Sequence, residues 1–270
     1  MNRRPRIATG QWSDGSPSPR LDKGTQLVNR ALAESDAYRV KVWEEAGEAV
    51  IWLSRGESGD LSQVERDPLP ADEGANRERA SRRARKQARL FAATNHCDWL
   101  VTLTYAPPQP TDPDVVLRHV QAFQRRLEAA RPDVAWLRVF ELHKSGALHV
   151  HFLMNGDHHG ERRHRRMRGL WGQGFVDVRR FGNGGRGAYR RAARYAAKYA
   201  SKGAVAGFGR HSYEVRQGFQ PAPVELAGWS MDEAWSLAVA TMGGEVPEYT
   251  WQSSEVVDWR GPPTASVSWP

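Results

Sequence analysis

The sequence predicts an α+β protein, a central antiparallel sheet with helices packed against it. Three observations predict this class. WLVTLTY at 99–105 is a β-rich apolar run ended by Pro107 and Pro108. Between Pro113 and Ala130 the apolar residues Val116, Val120, Phe123 and Leu127 recur at helical spacing. Residues 134–142 and 148–154 then form two strand-like runs joined by a short polar turn with Ser145 and Gly146, as an antiparallel hairpin requires.

Taken in order, the first 35 residues are polar and broken by Pro5, Pro17 and Pro19, and the first twenty are expected to be disordered. Tyr38–Trp43 and Ala49–Leu53 read as a hairpin around Glu45–Gly47, followed by a Gly-, Pro- and Asp-rich linker at 56–74. Asn76–Thr94 reads as a helix with an apolar stripe at Ala80, Ala84, Ala88 and Phe91. Its other faces carry Arg77, Arg79, Arg82, Arg83, Arg85, Lys86 and Arg89, which form either a solvated face or a contact to a DNA backbone.

The run at 99–105 is expected to be a buried strand. Thr111 or Asp112 caps the helix to Ala130, with Pro113 in its first turn. On 148–154, Leu148, Val150 and Phe152 point into a hydrophobic layer. Arg162–Leu170 is a short basic helix and Phe175–Val178 a fourth strand. Gly182–Gly187 is a glycine-rich loop without a Walker A pattern, so nothing indicates an ATPase or helicase. Gly187–Lys202 is helical and Gly203 a stop. His211–Phe219 reads as one more strand and Met231–Val239 as a short helix capped by Ser230. The tail with Trp251, Trp259, Pro262 and Pro263 is expected to wrap the surface. The division is an N-terminal extension at 1–75, a central domain at 76–220 and a C-terminal extension at 221–270.

The formal charge is +8 and the pI about 9.9, which points to a polyanionic partner, nucleic acid by default. The single cysteine, Cys97, excludes an internal disulfide and any cysteine-based zinc module, and fits a reducing compartment. No signal peptide is evident, and no stretch approaches the ~20 apolar residues of a membrane span.

Two groups of residues carry chemistry. His149, Val150 and His151 alternate as a strand does, so both imidazoles leave one face. If Gly146 sits in a three-residue loop, positions whose numbers sum to 290 face each other, and Glu141 lies opposite His149. One carboxylate and two imidazoles then form a three-ligand site with open positions, suited to a catalytic divalent metal. The alternative is two half-buried structural histidines. In RYAAKYASK at 194–202, Tyr195 and Tyr199 share a helix face, with Lys198 and Lys202 on its flank. These tyrosines are either a packing stripe or nucleophilic phenols. A phenol near its ordinary pKa of ~10 needs nearby positive charge to react. Its attack on a phosphodiester would conserve the bond energy, so the strand could later be rejoined.

With these residues in view the chain resembles the HUH endonucleases, and within them the replication initiators of rolling-circle plasmids and single-stranded DNA phages. WLVTLTYAP (99–107), ELHKSGALHVHF (141–152) and RYAAKYASK (194–202) resemble the family's three motifs in order, the last in its two-tyrosine form. The resemblance spans about residues 85–220. It implies an RRM- or ferredoxin-like antiparallel sheet with helices, and a catalytic domain at 76–220. Glu141, His149 and His151 would hold Mg²⁺ or Mn²⁺, although the donor set would also accept zinc. Tyr199 or Tyr195 would become 5′-phosphotyrosyl, helped by Lys198 and Lys202. In some members only one tyrosine is catalytic, and the second would then only pack. His143 would be a loop residue or support a ligand, and His158, His159 and His164 would meet phosphate or solvent.

DNA contacts are expected from Arg82, Arg83, Arg85, Lys86, Arg162, Arg163, Arg165, Arg166, Arg190, Arg191 and Arg194. The implied partners are single-stranded or supercoiled origin DNA and a host helicase and polymerase, in a bacterial cytoplasm with no membrane attachment. Relaxases usually place the tyrosine before the histidines and use a third histidine, which argues against that branch. Single-tyrosine transposases, usually shorter and without a YxxKYxxK repeat, and a non-catalytic DNA-binding module remain as alternatives.

Overall fold

The structure, a computed structural model, describes residues 36–55, 73–142, 148–156, 163–200, 213–259 and 261–270. The expected disorder of the first twenty residues, His143, His158, His159, Arg162 and Lys202 lie outside the described residues, as does nearly all of the expected linker. Arg77, Arg163 and Tyr199 are described by their backbone alone.

The fold is α+β, with two antiparallel five-stranded sheets and five helices among the described residues. Backbone contacts divide the chain into two compact units, Asp72–Gln220 and a second made from Met1–Ala71 with Pro221–Pro270.

The larger unit runs α1 (Glu73–Thr94), β3 (Cys97–Tyr105), α2 (Pro113–Ala130), β4 (Trp136–Leu142), β5 (Leu148–Asn155), α3 (Arg163–Trp171), β6 (Gly174–Arg180), α4 (Arg186–Ala200) and β7 (Glu214–Val215). Its sheet order is β6-β3-β5-β4-β7. Alternation along the strands gives it two apolar faces. Val101, Leu103, Tyr105, Val150 and Phe152 pack with Val116, Val120, Phe123 and Leu127 of α2 and with Met167 and Trp171 of α3. On the other face Leu100, Leu137, Val139 and Leu153 pack with Ala88, Phe91 and Ala92 of α1 and with Ala192, Ala193 and Ala196 of α4. Alanine at the helix contacts lets both helices lie close to the sheet.

Asp112 is the cap of α2, its carboxylate accepting from the Asp114 amide at 2.8 Å, with Pro113 in the first turn. β7 is only two residues long and joins the sheet at Leu137 and Arg138 of β4. The stripe expected on α1 is buried only from Ala88 onward. Ala80 is exposed and Ala84 half-buried, because the first turns of the helix extend past the apolar cluster.

The smaller unit contains β1 (Ala37–Trp43), β2 (Glu48–Ser54), β8 (Val224–Gly228), α5 (Met231–Thr241), β9 (Tyr249–Gln252) and β10 (Thr264–Ser268), with sheet order β8-β1-β2-β10-β9. Val40, Val42, Ile51, Ala265, Val267 and Trp269 pack with Ala234 and Ala238 of α5. Ser230 caps α5 by accepting from the Glu233 amide at 3.1 Å, and the Glu233 carboxylate accepts from the Trp229 amide at 2.8 Å. The tail therefore does not simply wrap a surface. Ala265, Val267 and Trp269 alternate inward, so the last residues complete a sheet that the N-terminal hairpin begins.

Candidate active site

Side chains opposite one another across a sheet share a face, so the registers fix which groups meet. Glu141 lies opposite His149, and His149 opposite Thr104. The next row is Val139, His151 and Thr102, and the third Leu137, Leu153 and Leu100. The third row packs under α1 and α4, so the carboxylate and both imidazoles belong to the face those helices cover.

The two imidazoles stack at 6.2 Å with planes 22° apart. The Thr102 hydroxyl lies 3.0 Å from Nδ1 of His151, and the Thr104 hydroxyl 3.3 Å from Nδ1 of His149. Each ring is thus held by its Nδ1 edge from β3. Nε2 of His151 meets Oε2 of Glu141 at 2.9 Å, and both side chains are largely buried. In the neutral ring this geometry makes Nε2–H the donor to Glu141 and Nδ1 the acceptor of the Thr102 hydroxyl.

The donor types suit a divalent cation, since imidazoles anchored at Nδ1 by a neighbouring strand are a common support for metal ligands. Their convergence is incomplete. Among the described residues no three His, Cys, Asp or Glu side chains are grouped so as to hold a metal ion. Glu141 and His151 are paired, and His149 is not drawn in to them at that spacing.

Helix α4 buries Ala188, Ala192, Ala193, Ala196 and Ala197, and Lys198 is exposed. Its first turn lies where β3 begins, because Tyr189 stacks on His96 at 5.1 Å. The half-buried Tyr195 packs on Phe181 at 5.2 Å, with the Arg179 guanidinium 5.3 Å from its ring. Arg179 stands opposite Leu100, one row beyond His151. The Tyr195 ring is therefore engaged beside the imidazole rows rather than at them. Tyr199 follows one turn later in α4.

The expected DNA-contact residues fall into two groups. Arg83, Arg85, Arg165 and Arg194 are exposed. Arg82 pairs with Glu78 at 3.6 Å, Arg166 donates to the Ala130 carbonyl at 2.9 Å, and Arg191 donates to the Phe181 carbonyl at 3.4 Å. Lys86 and Arg190 are half-buried, and His164 is exposed on α3.

On the sheet's other face Arg138 is buried, held by Gln124 of α2 at 3.3 Å and by Glu214 of β7. Burial pulls its guanidinium below the ordinary arginine range, and the Glu214 carboxylate opposes that shift. Cys97 is fully buried, which pushes its thiol well above the usual range and leaves it inert.

Comparison with known proteins adds one finding. Residues 98–204 match a family model of replication-associated proteins, the ORF2 family. That span covers the 99–107, 141–152 and 194–202 segments, and with them Glu141, His149, His151 and both tyrosines. No curated protein and no solved structure matches the chain. Among the described residues no helix is long and apolar enough to cross a membrane.

Thr102 and Thr104 are the residues that reading the sequence for ligands alone overlooks. Their signal was present, because Thr-Leu-Thr on one strand has the same alternation as His-Val-His on another. What the sequence lacks is the register that sets the two side by side.

Proposed function

We propose that this protein initiates replication by nicking one strand of origin DNA with a tyrosine of α4, and that it later rejoins the strand. One observation carries the reading: the β4–β5–β3 registers gather Glu141, His149 and His151 on the face covered by the tyrosine-bearing helix. The match of residues 98–204 to replication-associated proteins supports the same role and a DNA partner.

In the proposed step the phenolic oxygen bonds to phosphorus and the phenol releases its proton. The bond from phosphorus to the 3′ oxygen breaks, and that oxygen takes up a proton as a free hydroxyl. The DNA is left 5′-phosphotyrosyl, and reversal of the step reseals it. Tyr199 is the better candidate for the first attack, because Tyr195 is occupied by Phe181 and Arg179. One turn adds about 5.4 Å along a helix. α4 starts at the end of the sheet where β3 begins, so its direction leads toward the imidazole rows. Lys198 and Lys202 supply positive charge to the attacking oxygen and the phosphate.

Glu141, His149 and His151 would hold Mg²⁺ or Mn²⁺, which when bound polarises the scissile phosphate. Thr102 and Thr104 keep the rings oriented in either state, since a hydroxyl can donate to Nδ1 or accept from Nδ1–H. The exposed arginines of α1, α3 and α4 track the DNA backbone. A host helicase and polymerase extend the freed 3′ end, in the cytoplasm of a bacterial cell.

The test is incubation with supercoiled replicon DNA, with and without Mn²⁺. Relaxed circles carrying protein through phenol extraction are expected only with the metal. Nicking that survives combined Tyr195→Phe and Tyr199→Phe changes would rule the mechanism out.

A further inference from the structure

Beyond the imidazole rows, the larger unit contains a cleft of about 590 Å³ at the end of β3, bounded by Tyr105, Pro108, Gln109, His119, Gln173 and Gly174. Its size falls among pockets that take small ligands. It adjoins the candidate active site through two covalent neighbours. Tyr105 follows Thr104, whose hydroxyl meets His149, and Gln109 accepts at 3.2 Å from the amide of Leu148, the residue before His149.

The cleft's chemistry is specific. No acidic side chain and no lysine or arginine lines it, so it does not suit a phosphate or another ion. Aromatic and amide groups do line it. The Tyr105 and His119 rings lie 5.9 Å apart, tilted by 43°. Tyr105 is only 3 % exposed, and its hydroxyl and Nδ1 of His119 are both buried without a hydrogen-bond partner. Two such groups side by side are costly unless something else satisfies them. The backbone is built closely around the opening. The Ala106 amide donates to the Gln173 carbonyl at 3.0 Å, and any Cβ at Gly174 would collide with the Thr104 and Ala106 backbone. A neutral, planar ligand with a polar edge fits such a lining.

We propose that this cleft takes one unpaired nucleobase of the strand being cut, close to the scissile phosphate. The base stacks against the His119 and Tyr105 rings, and its edge is read by Tyr105 Oη, His119 Nδ1 and the Gln173 amide. This rests on the reading above that the protein handles single-stranded DNA. It adds a position at which that strand is read by base rather than by backbone.

The experiment uses the full chain in EDTA, so that cleavage plays no part. The probe is a 20-residue oligothymidylate carrying one 5-iododeoxyuridine, crosslinked by ultraviolet light and mapped by peptide mass spectrometry. Crosslinks to Tyr105 or His119 are expected, and His119→Ala and Gln173→Ala should each weaken binding by about tenfold, the scale of one lost base-stacking contact. The salt dependence should not change, because no phosphate contact is removed.

Crosslinks confined to other residues, or unchanged affinity in both variants, overturn the proposal. The covalent-adduct assay in Mn²⁺ reads the cleavage mechanism separately. Cleft crosslinks without adduct remove cleavage and keep the base site, and failure to bind the oligonucleotide removes both.

Discussion

The two five-stranded sheets have the same strand count and direction but opposite uses of polar groups. In the smaller unit the face toward α5 is apolar throughout, from Val40 and Ile51 to Val267 and Trp269. In the larger unit the face toward α1 and α4 is apolar only at Leu100, Leu137, Val139 and Leu153, and then gives way to Thr102, Thr104, Glu141, His149 and His151. His151 is 4 % exposed, a position where an unpaired imidazole would be destabilising. Threonine hydroxyls and a carboxylate offset that cost, and a sheet under stability selection alone has no need of them. The contrast separates a sheet that folds from a sheet that folds around a reaction.

The largest expected effect tests the reactive side of that contrast. Tyr199→Phe should reduce covalent adduct on single-stranded origin DNA by at least ~10³-fold, as loss of a nucleophile does. Tyr195→Phe should leave the first cleavage within about tenfold, because that ring packs on Phe181. The reverse ranking would move the nucleophile to Tyr195 and require the Phe181–Arg179 contact to open.

The structural side is tested by Trp269→Ala, which removes a fully buried side chain whose indole donates to the Glu245 carbonyl at 2.9 Å. A loss of about 3–5 kcal/mol is expected. Hydrogen exchange should show protection lost across β1, β2, β8 and β10 while β3 and β5 keep theirs. Simultaneous loss in both sheets would mean that the two units unfold together.

A smaller effect is expected from Thr102→Val with Thr104→Val. Mn²⁺ affinity, followed by calorimetry, should fall by roughly 10–100-fold, the usual penalty for removing a hydrogen-bonded support of a metal ligand. An unchanged Mn²⁺ affinity would mean that the threonines only fill the sheet face, and that the imidazoles are not metal ligands held by them.

The same contrast explains what could be read in the sequence. Strongly periodic stretches were legible, because α2 and the β3–β5 core carry their pattern locally, and the arithmetic that paired Glu141 with His149 needs only a hairpin. The roles of Thr102 and Thr104 were not, because they depend on β3 lying beside β5 across a separation of 49 and 45 residues. The sheet joining the two chain ends was hidden for the same reason. VELAG and TASVSW each show the period-two pattern, but they are short, and their partner strands lie about two hundred residues away. The incomplete convergence of His149 with Glu141 and His151 is likewise set by side-chain rotamers, which no spacing rule encodes.

The smallest effect separates polar groups placed for stability from those placed for a ligand. Burial pushes the Tyr105 phenol well above its ordinary range, so it stays protonated at neutral pH, yet its hydroxyl has no partner. Were Tyr105 a structural residue like Trp171, whose indole donates to the Thr104 carbonyl at 3.1 Å, deleting its polar atom would be destabilising. Because the hydroxyl is unsatisfied, Tyr105→Phe should leave the DNA-free protein as stable or up to about 1 kcal/mol more stable in urea denaturation. A loss of about 1 kcal/mol or more would show that a bound water or a rearranged neighbour already satisfies the hydroxyl. Unchanged or increased stability together with weaker oligothymidylate binding would place the cost of this group in the free protein and its return in the complex.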